Sequence, residues 1–102
     1  NTHVLIHDTI VAVRDLEGNT LHRIKRLKRA IALVFVTDNV FAVGGEDRAI
    51  TFYDAQTGKE LASIPAHTNR IKALVNIPET DYIVSASSDG FIKVWHIDKS
   101  NW

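Results

Sequence analysis

The sequence predicts an all-β fold, about two and a half four-stranded blades cut from a larger β-propeller. Three observations predict it: a repeat with a period near 40 residues, four short strand-like segments per repeat, and no segment with a helical period.

The repeat shows when the chain is aligned on Asp15, Asp54 and His96, which stand 39 and 42 residues apart. Seven residues before each anchor is an Asp: Asp8, Asp47 and Asp89. Four and two residues before it are apolar pairs: Val11 and Val13, Ile50 and Phe52, Ile92 and Val94. Arg14, Tyr53 and Trp95 directly precede the anchors, and Gly18 and Gly58 mark turns just after the first two. Agreement at several positions at once identifies a genuine repeat.

The first unit starts partway, with strands expected at His3–Ile6, Ile10–Arg14 and Thr20–Ile24. The middle unit supplies all four. Ala30–Val36 and Val40–Val43 are continuous apolar runs, as strands buried on both faces require. Thr37, Asp38 and Asn39 turn the chain between them. Gly44 to Arg48 forms the next turn, Ile50–Tyr53 the third strand, and the more polar Lys59–Ile64 the fourth. Polarity rises from first strand to last, which suits a radial blade with a dry inner edge and a wet outer one. The last unit repeats the pattern with Ile71–Ile77, Tyr82–Ser87 and Phe91–Ile97, and Trp102 is expected to begin its outer strand or to run on into further chain. The expected partition is a partial blade over 1–28 holding its last three strands, a complete blade over 29–65, and a blade over 66–102 lacking most of its outer strand.

Composition limits function more than it directs it. Lys plus Arg equals Asp plus Glu at 12 each, so net charge favours neither nucleic acid nor an anionic membrane. No apolar run is long enough for a membrane span, and Asn1 does not open a signal peptide. Cysteine is absent, which removes disulfide and thiolate chemistry. Methionine is absent even at position 1, so the natural chain is expected to start earlier. Propellers close with about 4–8 blades, so this stretch alone is expected to leave broad apolar faces and to be unstable in isolation.

The segment Ala66-His67, followed by Ser85 through Trp95, resembles the WD-repeat pattern. That resemblance implies a buried network joining His67, Ser85 or Ser87, Asp89 and Trp95. In it the carboxylate accepts an imidazole N–H, the imidazole bonds a hydroxyl, and the hydroxyl meets the indole N–H. A catalytic Ser-His-Asp reading competes with it, but a triad needs an exposed nucleophile beside an oxyanion hole, and the repeat already accounts for all three residues. Ala66 stands where the family has Gly, and His96 where it has the Asp after Trp. The middle unit keeps Asp47 as its turn acid but has Tyr53 for Trp, with Lys28 near the expected His, so its network is expected to be incomplete. Asp8 is the corresponding turn acid of the first unit.

Two stretches are more particular: Ile83 through Trp95, and Val40 through Asp47 with Ile50 through Asp54 and Ala66 through Lys72. Together they resemble the PAK-interacting protein family, whose fungal members are the maintenance-of-killer WD-repeat proteins. The resemblance implies a seven-bladed, non-catalytic scaffold in the nucleolus or nucleus, needed for assembly of the large (60S) ribosomal subunit. Its implied partners are ribosome assembly factors, ribosomal proteins and pre-rRNA, with restraint of a p21-activated protein kinase as the alternative. It implies no cofactor, no membrane and no small-molecule substrate.

One charge run stands out, His22 through Arg29. Arg23, Lys25, Arg26, Lys28 and Arg29 are the candidate contacts for RNA phosphates or an acidic partner, on a loop expected at the propeller rim. The competing reading is a solvated outer strand with Ile24 and Leu27 turned inward. No aromatic interleaves the basic residues, so base stacking is not expected. Thr68-Asn69-Arg70 is a weaker candidate surface. The five histidines show no metal-ligand spacing, and Gly44-Gly45 lacks the helix that a dinucleotide fingerprint requires.

Overall fold

The computed structural model describes residues 2–102. Ten strands form three antiparallel sheets. β1 (Thr2–His7), β2 (Ile10–Asp15) and β3 (Thr20–Lys25) make the first. β4 (Ala30–Phe35), β5 (Val40–Gly45), β6 (Ala49–Asp54) and β7 (Glu60–Pro65) make the second, and β8 (Ile71–Asn76), β9 (Tyr82–Ser87) and β10 (Ile92–His96) the third. Each sheet is a meander in chain order, as short hairpin connections dictate.

The sheets stack because alternate residues of the middle one face opposite ways. Val40, Ala42, Ile50 and Phe52 join Ile71, Leu74 and Ile83 in one core, shared with the third sheet. Phe41, Val43 and Tyr53 join Val11 and Val13 in the other, shared with the first. All six residues of β5 are therefore buried, and its unbroken apolar run is explained by cover on both faces. Phe41 and Phe52 are each fully buried, and truncating either ring to Ala would cost about 3–5 kcal/mol. The outer strands β3 and β7 are mostly exposed.

The two outward faces of the stack differ. On the third sheet, cross-strand rows Val75–Val84–Val94 and Ala73–Ala86–Ile92 face away from the core, and Ile92 and Val94 are 74% and 63% exposed. On the first sheet the corresponding rows are Leu5–Ala12–Arg23 and His7–Ile10–Lys25, a mixed surface. Trp102 does not begin an outer strand. A 3₁₀ turn at Lys99–Asn101 precedes it, and its ring lies 4.8 Å from that of Phe52.

Connections at one end of the sheets are laced by backbone hydrogen bonds. Arg26 N–H donates to the Thr9 carbonyl (2.7 Å), Ala30 N–H to Asp8 (2.9 Å), and Glu46 N–H to Arg29 (3.0 Å). Ala66 and His67 both donate to the Arg48 carbonyl, and Ser88 to Arg70. Gly45 is required here: a Cβ on it would lie 2.1 Å from the Arg29 carbonyl oxygen. The β3–β4 connection is thereby held at this end, among the hairpin turns that carry Asp8, Asp47 and Asp89, rather than on the rim.

Candidate functional site

Behind this end lie two polar networks. In the third unit His67 Nδ1 lies 2.8 Å from Asp89 Oδ2, and His67 Nε2 lies 2.7 Å from Ser85 Oγ. Trp95 Nε1–H donates to the same Ser85 Oγ at 2.9 Å. The imidazole thus bridges the Asp89 carboxylate and the Ser85 hydroxyl, whose oxygen also accepts the indole N–H. Asp89 also accepts the backbone N–H groups of Thr68 (3.1 Å) and Phe91 (2.9 Å). Desolvation pushes its carboxyl upward, but the Phe91, Thr68 and His67 donors outweigh it and hold the pKa at about 2. Ser87 has a separate task. Its hydroxyl bonds the Asn69 and Arg70 carbonyls and accepts Asp89 N–H, fastening the β7–β8 connection to the β9–β10 turn.

The His67, Ser85 and Asp89 contacts are those of a hydrolytic triad, yet the setting differs. Ser85 is 0% exposed and its oxygen already receives the indole proton. No substrate carbonyl can reach it, and the network works as a fastener.

The middle unit has a network too. Arg26, 8% exposed, is ion-paired through Nη2 with Asp47 Oδ2 and donates through Nη1 to Tyr53 Oη at 2.7 Å. Its guanidinium also lies over the Tyr53 ring, 5.9 Å from the centroid. Burial raises the Tyr53 phenol pKa, and the Arg26 charge offsets part of that rise. The expected gap at Lys28 is therefore corrected: Arg26, not Lys28, occupies the histidine's place. Asp8 lies in the corresponding β1–β2 turn and contributes its backbone carbonyl.

The basic run does not form one surface. Arg26 is buried and committed to Asp47 and Tyr53, so it is withdrawn from the candidate contacts. Arg23 and Lys25 lie on the outward face of the first sheet, while Lys28 and Arg29 lie at the laced end. Leu27 does not turn inward; it is 100% exposed. What the structure does bring together was not apparent in the sequence: Lys28, Glu46, Arg48, Asn69 and Arg70 line one depression of about 260 Å³. Among the described residues no cluster of His, Asp or Glu could hold a metal ion. Asp15 and Asp54, used above only as register marks, each accept two turn N–H groups, those of Glu17 and Asn19 and those of Gln56 and Thr57. Donation from Asn19 in the first case and Thr57 in the second lowers their pKa values.

Comparison with known proteins follows the same lines. Residues 58–96 match the WD domain, G-beta repeat model. A Xenopus laevis p21-activated protein kinase-interacting protein 1-like is 37% identical over 97 residues, covering 93% of this chain and 27% of that protein. The human p21-activated protein kinase-interacting protein 1 is 43% identical over 72 residues, covering 69% of this chain and 18% of that protein. The chain thus spans about a quarter or less of these relatives. The crystal structure of the RRP9 WD40 repeats superposes with a TM-score of 0.87 over 94% of this chain and 32% of that one, at 21% identity, a likeness of fold.

Proposed function

The chain belongs to the WD-repeat β-propeller family, and from that premise we propose that it is part of a non-catalytic scaffold that docks other proteins during assembly of the large ribosomal subunit. The carrying observation is that His67, Ser85, Asp89 and Trp95 in one network, and Arg26, Asp47 and Tyr53 in the other, bond one another inside the chain, while the loops they fasten stay exposed. Such an arrangement displays loops rigidly and lowers the entropy cost of binding. The ribosomal setting, with assembly factors, ribosomal proteins and pre-rRNA as partners and the nucleolus or nucleus as location, rests on the family resemblance of Ile83 through Trp95 and Val40 through Asp54.

A second reading is favoured by the relatives' names: the scaffold binds a p21-activated protein kinase, which the family resemblance implies that it restrains. Affinity purification of the full-length protein, followed by RNA sequencing and kinase immunoblotting, separates them. Enrichment of large-subunit precursor RNA is expected. Enrichment of the kinase without precursor RNA would replace the first reading with the second.

A further inference from the structure

We infer that the laced end of the sheets is a docking site for an acidic peptide segment, gripped by Lys28, Arg48 and Arg70; this rests on the scaffold reading and names its partner class. The chain as a whole is electrically balanced, so a local excess of cations is not inherited from bulk composition. Lys28, Arg48 and Arg70 nevertheless share one depression, each exposed, and among the described residues none has a carboxylate within 4.0 Å. The acid in the depression, Glu46, already faces Arg29 at 3.9 Å. Three cations are left facing solvent with no internal partner.

Arg48 carries the strongest sign that its side chain has a use. It holds a left-handed backbone, φ +67°, at the position where the corresponding turn of the third unit has Gly90, φ +89°. For a side-chain-bearing residue that conformation costs about 1–2 kcal/mol. The backbone work done there is donation by Arg48 N–H to the Gly45 carbonyl and acceptance by the Arg48 carbonyl of two N–H groups, from Ala66 and His67, all of which glycine would do equally well. The guanidinium is thus the one thing arginine adds for that strain.

The site is also held in shape. The Lys28 loop is fixed at Arg26 by Asp47 and Tyr53 and at Arg29 by Glu46 N–H. The Arg70 loop is fixed by Ser87 Oγ and Ser88 N–H. Little ordering remains to be done on binding.

Two features favour a peptide over RNA. Arg23 and Lys25 lie on the outward face of the first sheet, so no basic track continues from the depression along a phosphate backbone. Glu46 would also repel a continuous line of phosphates. An acidic peptide can set carboxylates on Lys28, Arg48 and Arg70 individually and lay an apolar side chain on Leu27, which precedes Lys28 in the chain and is wholly exposed.

The test uses full-length protein and a fluorescein-labelled peptide rich in Glu and Asp with one central Leu, read by fluorescence anisotropy at low and physiological ionic strength. Binding that weakens with salt is expected. Arg48→Gly and Arg70→Ala should each weaken it about two- to fivefold, and together about four- to 25-fold, as loss of exposed ion pairs dictates. Arg48→Gly relieves the strained backbone, so its thermal stability should hold or rise; weaker binding by a more stable protein cannot be a folding defect. Unchanged peptide affinity in the double variant overturns the inference. So does tighter binding of single-stranded poly-U RNA that the same two variants abolish, which would make the site an RNA contact. Native partners still co-purifying while the peptide fails to bind would sink this inference and leave the scaffold reading standing; no partners co-purifying would sink the scaffold reading itself.

Discussion

At Asp89 the turn carboxylate of the third unit meets the His67 imidazole, and the chain of hydrogen bonds ends at Ser85 and the Trp95 indole. At Asp47 the middle unit sets a guanidinium in the same place, and the chain ends at the Tyr53 phenol. Both fasten a strand-linking loop to a hairpin turn across the same kind of sheet. The third unit does so with a chain of hydrogen bonds through His67, Ser85 and Trp95, the middle unit with a desolvated ion pair. One geometry can therefore be kept by chemistries whose failure modes differ. Cutting the first at Ser85 strands hydrogen-bonding groups; removing Asp47 from the second strands a charge.

The largest effect follows from that asymmetry. Asp47→Ala leaves the Arg26 guanidinium, on a side chain 6% exposed, without its counter-ion, and should destabilise the full-length propeller by about 3 kcal/mol. The figure sits at the low end for buried pairs because the Asp47 side chain keeps 29% exposure. Urea denaturation is the appropriate measurement, since guanidinium chloride would screen the pair under test. Replacing both partners, Arg26→Leu with Asp47→Leu, should restore much of the loss. A double variant as unstable as Asp47→Ala alone would show that the position needs hydrogen bonds, not merely the absence of a stranded charge.

In the third unit Ser85→Ala is the corresponding cut. It leaves the His67 Nε2 and the Trp95 N–H without partners, for about 2 kcal/mol in all, since Trp95 is only half-buried. A cost equal to that of Asp47→Ala would erase the distinction between the two units.

The strands and the third unit's network were readable from sequence because they are local patterns. Apolar runs bounded by Asp, Asn and Gly set the sheets, and the spacings from His67 to Asp89 and from Asp89 to Trp95 set the network. The middle network was hidden by its setting. Arg26 lies inside a run of basic residues, which reads as one solvated face although the chain leaves a strand within it. Its members consequently point onto an outward sheet face, into the core and out of the laced end. A usable signal did exist: His67 stands four residues before Ile71, where β8 begins, and Arg26 four before Ala30, where β4 begins. Lys28 fails that count. The Lys28, Arg48 and Arg70 grouping and the Trp102–Phe52 contact join residues from different hairpins, which no local spacing encodes.

Acid provides the finest separation of the two units. The Asp89 carboxyl is held at about 2, below its ordinary value of 3.8, so the folded state binds the proton less readily than the unfolded chain. A depressed carboxyl stabilises the fold fully above the unfolded value, and that contribution fades as pH falls from about 4 toward 2. Asp89→Asn keeps an oxygen acceptor for one donor but cannot ionise. The wild-type protein should therefore lose stability more steeply than Asp89→Asn across that window. Urea midpoints taken at intervals between pH 5 and pH 2 give the comparison. Parallel slopes throughout would mean that the Asp89 carboxylate gains nothing from the Phe91, Thr68 and His67 donors around it. The third unit's fastener would then hold by packing around Trp95 rather than by its protons.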